Sequence, residues 1–250
     1  MIPVVVVAAS AGTFAGLAEA LRSIPAQVES APLLSFAPPE DWTPVDSALQ
    51  RWREYDAVVF TSPRSAQAVR GRASATDVAF SPGTGRHLPR IWAAGPGTAR
   101  ELGSGCGPVR QPDQRLAGEQ GAAAALAEDM IVTGVRGPVL FPCGDLRRDE
   151  LPRRLRERGI TVDEVICYRS VLAEAEDARR AASRAQALVV ASPSVAGLLA
   201  RSCPAPGRPT LVAVGPSTAE AARAHGWPPD RVAASPTVEA VAAELHALLA

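Results

Sequence analysis

Few residues in this chain are equipped for chemistry, and their types narrow what that chemistry could be. Tyr168 is one of two tyrosines and stands between Cys167 and Arg169, the other being Tyr55 ahead of a strand. A phenol is protonated at neutral pH and can donate to a departing group. A tyrosine in an extended connection more often packs with its hydroxyl satisfied, and the residues by themselves favour that role. Arg147 and Arg148 follow Pro142-Cys143-Gly144-Asp145, where they open an expected helix over 147–158 and could meet an anion. Farther along that helix Arg153, Arg154, Arg156 and Arg158 read as a solvated charged face. Cys143 reads as a buried thiol, because no histidine base lies within sequence reach.

Hydroxyls and free backbone N–H groups gather at Thr61-Ser62-Pro63, Gly95-Pro96-Gly97-Thr98, Ser192-Pro193-Ser194 and Gly215-Pro216-Ser217-Thr218. Each of these is a strand-to-helix junction, and each can be no more than a helix cap with proline in its first turn. Four such ends facing one cleft would exceed what capping needs. They would suit a ligand with several negative groups, phosphate or carboxylate, because unpaired donors and the helix dipole point the same way.

Other chemistries are excluded by what is missing. All 26 basic residues are arginine, so neither a Schiff-base lysine nor a lysine-bearing phosphate loop is available. The 26 acidic residues balance them, and no net field recommends nucleic acid or an anionic membrane as a partner. His87, His225 and His246 share no metal-ligand spacing with one another or with a cysteine. The segment Ala8–Gly16 has only two glycines and no acidic residue placed for a ribose, which argues against a dinucleotide. No Gly-x-Ser-x-Gly elbow accompanies a Ser/His/Asp order. Cys106, Cys143, Cys167 and Cys203 are scattered without a Cys-x-x-Cys pair, which fits a reducing compartment. The apolar run 2–9 is short for a signal core and nothing approaches a membrane span, so a cytoplasmic protein is expected.

The elements that must position these groups are βα units. Buried apolar runs at 2–8, 56–62, 90–95, 138–143, 187–192 and 210–215 read as strands covered on both faces. Alanine- and leucine-rich stretches at 11–22, 116–130, 147–158, 216–225 and 237–249 read as helices, and the pattern is α/β with parallel sheets. Two extended stretches, 27–40 and 161–173, lack helices of their own and read as crossings between domains. The expected organisation is therefore a discontinuous first domain, 1–35 plus 174–250, and an inserted second domain, 36–173, free to close on a ligand. An internal repeat supports two similar domains: 56–69 resembles 187–199, and 92–102 resembles 212–222, in the same order.

The ordered set FTSPRSA (60–66), GPGTA (95–99), LFPCGDLRRDELPRRLRERG (140–159), CYRS (167–170), ASPS (191–194), GPSTA (215–219) and SPTVEAVA (235–242) resembles the uroporphyrinogen-III synthase family over nearly the full chain. The resemblance implies two similar Rossmann- or flavodoxin-like parallel-sheet domains joined by two extended β connections. It implies a lyase of porphyrin and heme biosynthesis that uses no cofactor and no metal. The substrate would be hydroxymethylbilane, a linear tetrapyrrole with eight acetate and propionate arms. The product would be uroporphyrinogen III, reached through a spiro intermediate that inverts the last ring. A monomer is implied, with transient contact with hydroxymethylbilane synthase.

Carried over by position, Tyr168 matches the tyrosine that assists loss of the substrate hydroxyl. Thr61, Ser62, Arg64, Thr98, Arg148, Ser192, Ser194, Ser217 and Thr218 match positions lining the family's cleft. Many members carry Thr-Arg-Pro after the first strand, where this chain has Ala9-Ser10-Ala11, which puts a basic contact at that corner in question. Two other readings share the same fold expectation: a non-catalytic two-lobed binding or sensor module for a polyanionic small molecule, and a nucleotide-dependent transferase. The second would need a ribose carboxylate, and the first would have no use for Tyr168 with Arg148.

Overall fold

A computed structural model of the chain describes residues 2–76, 88–103, 107–113, 115, 117 and 121–249. Cys106, His87 and part of the expected helix at 116–130 lie outside these residues. The chain divides into two compact units, Met1–Ser35 with Val171–Ala250, and Phe36–Ser170. The strands are β1 (Val4–Ser10), β2 (Gln27–Ala37), β3 (Ala57–Phe60), β4 (Arg90–Ala93), β5 (Val109–Arg110), β6 (Val139–Gly144), β7 (Val162–Leu172), β8 (Ala187–Val190), β9 (Thr210–Val214) and β10 (Arg231–Ala233). The helices are α1 (Leu17–Ala20), α2 (Thr43–Gln50), α3 (Pro63–Ala75), α4 (Pro96–Leu102), α5 (Ala122–Val132), α6 (Glu150–Arg156), α7 (Ala175–Arg184), α8 (Pro193–Ser202), α9 (Pro216–Ala224) and α10 (Val238–Leu249). Both unit boundaries fall inside the long extended strands, β2 and β7. The described residues include no helix long and apolar enough to cross a membrane.

The first unit orders its strands β10-β9-β8-β1-β2, with parallel pairing throughout. Alternate residues of β1 serve opposite faces: Val6 and Ala8 join a core with Ala178, Val195 and Leu199, while Val5, Val7 and Ala9 join one with Leu17, Leu21, Val241 and Leu245. Burial on both faces explains the unbroken valine run. The second unit orders its strands β7-β6-β3-β4-β5, again parallel. Val58 and Phe60 face α2 and α3, and Ala57 and Val59 face α5 and α6. Each unit is thus doubly wound, and in each the chain reverses its direction of strand addition once, between β1 and β8 in the first and between β3 and β6 in the second.

Two helices depart from the sequence reading. The expected helix at 11–22 shrinks to Leu17–Ala20, because Gly12 (φ 77), Phe14 (φ 58) and Gly16 (φ 96) take left-handed backbone that an α-helix cannot absorb. The expected helix at 147–158 begins only at Glu150. The Asp145 carboxylate accepts from the Leu146 N–H at 3.0 Å and from the Ser170 N–H of β7 at 2.9 Å, so residues 145–149 form a turn before the helix.

At the end of the second unit's sheet remote from the strand carboxyl ends, Asp56 is a structural hub. One carboxylate oxygen accepts from the Arg136 and Gly137 N–H groups at 2.8 and 3.0 Å, and the other from Arg90 at 2.6 Å. Burial alone would raise the Asp56 pKa, but these donors outweigh it and hold the carboxyl below its ordinary value. A lowered folded-state pKa gives stability that is present above the unfolded value of about 3.9 and is lost as pH falls through the folded one. Asp56→Ala is expected to cost about 1.5–3 kcal/mol at neutral pH. Chemical denaturation at several pH values checks this, and the variant's stability should fall less steeply on acidification below about pH 4.

Candidate active site

The strand reversal in the second unit lies where the carboxyl ends of β3 and β6 point, the place where doubly wound sheets bind ligands. A cavity of about 180 Å³ opens there. Thr61 beyond β3, Phe141 and Gly144 of β6, Leu146, Arg147 and Arg148 of the following turn, and Tyr168 and Ser170 of β7 line it. Tyr168 also lines a second, more open cavity of about 470 Å³ shared with Phe36, Trp42, Arg64 and Arg72, so the two cavities meet at this residue.

The Tyr168 ring is held closely. Phe36 meets it edge to face at 5.8 Å between centroids and 71° between planes. Its hydroxyl lies 3.4 Å from the Ser62 Oγ. That serine caps α3, its Oγ accepting from the Ser65 N–H at 3.1 Å and donating to the Ser65 Oγ at 3.2 Å. Capping is therefore the first duty of Ser62, and its contact with the phenol is an addition to it. Tyr55 is unavailable: it donates to Asp163 at 2.8 Å, and burial together with that carboxylate pushes its pKa above the ordinary phenol value.

The arginines divide by whether a carboxylate already holds them. Arg147 donates to Glu164 at 2.5 Å and Arg156 to the same carboxylate at 2.6 Å. Burial alone would raise the Glu164 pKa, yet the two guanidinium donors outweigh it and hold the carboxyl low. Arg153 pairs with Glu157 and Arg154 with Glu150. Arg148 has no hydrogen bond or ion pair among the described residues, although it sits on the cavity wall. Arg64 likewise has no carboxylate, its Cζ lying 3.3 Å from the centroid of Phe36, and burial lowers its pKa from the ordinary arginine value. Two cations without a carboxylate partner among the described residues thus border the two cavities that Tyr168 lines.

Cys143 and Cys167 are free and buried, and burial raises each thiol pKa to about 12. That leaves almost no thiolate at neutral pH, so neither serves as a nucleophile. Burial pushes Cys203 up as well.

The remaining sequence candidates are at the expected junctions, with two qualifications. Thr98 and Thr218 are only 4% and 1% exposed, so their side chains are buried in the first turns of α4 and α9 and offer little surface to a ligand. In the first unit the Ser192 Oγ lies 2.8 Å from the Ser194 Oγ, at the carboxyl end of β8, and Ser217 is half-buried in the first turn of α9. Gly215 leads into α9 at φ 79, which only glycine adopts freely, whereas Gly95 leads into α4 with extended backbone at φ −176. Neither helix has a side-chain cap, so their first-turn N–H groups remain open to a ligand.

Sequence reading missed Ser170, Leu146 and Gly144 as site residues, and also a Ser10 Oγ to Thr13 Oγ1 contact of 2.9 Å beyond β1, beside the strand reversal of the first unit. Gly144 and Leu146 lie inside the 140–159 motif and Ser170 closes the Cys-Tyr-Arg-Ser motif, but residue type alone did not single them out.

A family model described as Uroporphyrinogen-III synthase HemD matches residues 15–243. Among solved structures, a mutant uroporphyrinogen III synthase from the extremely thermophilic bacterium Thermus thermophilus is 20% identical, with 99% of this chain and 98% of that chain covered and a TM-score of 0.66. The uroporphyrinogen-III synthetase of Helicobacter pylori is 17% identical, with 99% of this chain and 100% of that chain covered and a TM-score of 0.60. At such identities these likenesses speak for the two-domain α/β fold, and the family match speaks for descent.

Proposed function

The chain belongs to the uroporphyrinogen-III synthase family, and from that premise we propose how its residues close a linear tetrapyrrole into uroporphyrinogen III. The substrate, hydroxymethylbilane, carries eight carboxylates and cyclises unaided to the symmetric isomer. The protein must therefore supply geometry before it supplies reactivity. The observation that carries the reading is a phenol bordered by two arginines that no carboxylate among the described residues neutralises, at the strand reversal of a doubly wound sheet.

Substrate carboxylates supply the missing counter-charges. Arg148 and Arg64 bind them as bidentate partners, Thr61 adds a hydroxyl, and the open first turn of α4 adds backbone donors. Ser192, Ser194, Ser217 and the first turn of α9 form a comparable set in the first unit. Thr98 and Thr218 keep the two turns in place rather than touching the substrate.

Tyr168 donates its proton to the hydroxymethyl oxygen of the first ring as the C–O bond breaks, so that water leaves. The resulting electrophilic azafulvene is attacked by the substituted carbon of the last ring, forming a spiro intermediate. Rearrangement inverts that ring, and the proton released as it regains aromaticity restores the phenol. Arg64 next to the ring steadies the transient phenolate.

The enzyme works in the cytoplasm as a monomer, in keeping with free buried cysteines. It makes transient contact with hydroxymethylbilane synthase, since any delay before capture feeds the unaided route. Purified protein treated with chelator is expected to divert freshly made hydroxymethylbilane from the type I to the type III isomer, measured by separating the oxidised products. Type I product alone would overturn the proposal.

A further inference from the structure

We propose that Gly144 is a positioning residue for this reaction, the absence of its side chain fixing the place of the Tyr168 phenol; this rests on the role given to Tyr168 above. Gly144 ends β6 and stands opposite Tyr168 of β7, at an irregularity in the register between Cys143 and Gly144. A Cβ on Gly144 would fall 2.6 Å from two ring carbons of Tyr168 and 2.8 Å from its hydroxyl oxygen. No carbon pair tolerates that approach, and the ring would have to retreat by roughly 1 Å to reach ordinary contact. The backbone is already committed: the Asp145 N–H donates to the Tyr168 carbonyl at 3.3 Å, and the Asp145 carboxylate binds the Ser170 N–H at 2.9 Å. The ring itself must yield. Phe36 stands edge-on to it, and the hydroxyl, 3.4 Å from Ser62, would leave that place.

Gly144 is not needed for its backbone freedom. Its φ is not positive, so the local conformation would accept alanine. Close approach alone demands glycine here, and what approaches is the one side chain assigned a proton transfer.

A misplacement of about 1 Å costs a reaction up to roughly 10²-fold. Gly144→Ala is expected to lower kcat by about that factor while KM changes little, because Arg148 and Arg64 are untouched. In a Tyr168→Phe background the same change should cost less than about threefold, since the hydroxyl it displaces is already gone. Equal losses in both backgrounds would overturn the proposal. If Tyr168→Phe alone leaves turnover unchanged, the role of the phenol fails, and a Gly144→Ala loss that then persists would have to act otherwise. Ring-labelled tyrosine gives a readout independent of activity, because the protein has two tyrosines. Gly144→Ala should shift the ring signals of Tyr168 and spare those of Tyr55; unmoved Tyr168 signals would also overturn it. Should Gly144→Ala fail to fold, Gly144→Ala with Tyr168→Leu is expected to recover the fold, and a double variant that stays unfolded would count against a clash with the ring.

Discussion

Tyr168→Phe is expected to lower kcat by roughly 10²-fold while leaving the fold and melting temperature nearly unchanged. Phenylalanine keeps the ring, and with it the edge-to-face contact with Phe36 and the close approach over Gly144. Only the hydroxyl is lost, and the hydrogen-bond neighbour it leaves among the described residues, Ser62, retains its cap on α3. A positioned acid is commonly worth about 10²–10⁴-fold, and the substrate's own tendency to shed its hydroxyl places this case at the low end. Isomer choice depends on how the substrate is folded, so the residual product should remain mainly type III. Steady-state kinetics with product separation measure both quantities. Unchanged turnover in a well-folded variant would return Tyr168 to the packing role that its residue type alone favours, and ionisation would then rest on backbone donors.

The strands that build this site are legible because they are covered on both faces. Val4–Ser10, Ala57–Phe60 and Val139–Gly144 are continuous apolar runs, which only a doubly covered parallel sheet needs. The edge strands Val109–Arg110 and Arg231–Ala233 are too short to leave a pattern. Helix α7 hides for another reason: its buried positions are alanines, Ala178, Ala181 and Ala182, in a stretch that is otherwise charged and polar, so no bulky apolar residue marks its inner face. The start of α6 is misread because 147–158 looks like one helical stretch, while what delays the helix is a bond from Asp145 to Ser170 on another strand. Which arginines are free is equally non-local. Glu164, 17 positions beyond Arg147, claims that side chain and leaves its neighbour Arg148 without a partner among the described residues. Residue types nominate candidates; the partners that spend or spare them come from strands brought together by the fold.

That division between spent and spared charge sets the largest effect expected on substrate binding. Arg148→Ala should raise KM by about tenfold to a hundredfold with little change in kcat, the worth of a charge-assisted hydrogen bond to a substrate carboxylate. Arg158→Ala should leave KM within about twofold, because Arg158 is exposed beyond α6 and away from the cavity wall. Salt offers a second measurement. If Arg148 meets a carboxylate at an exposed site, the wild-type KM should climb with ionic strength, and the climb should flatten in Arg148→Ala as one screened contact is removed. Arg147→Ala is the instructive comparison, since its guanidinium lines the cavity and is bound to Glu164, and its removal leaves that carboxylate only half compensated, by Arg156. That variant should weaken binding through repulsion of the substrate's acid arms, and Glu164→Gln in the same chain should restore much of the loss. Rescue of that kind would place the substrate carboxylates beside this turn, whereas equal KM increases for Arg148→Ala and Arg158→Ala would mean that a diffuse basic surface, and no particular guanidinium, gathers the substrate.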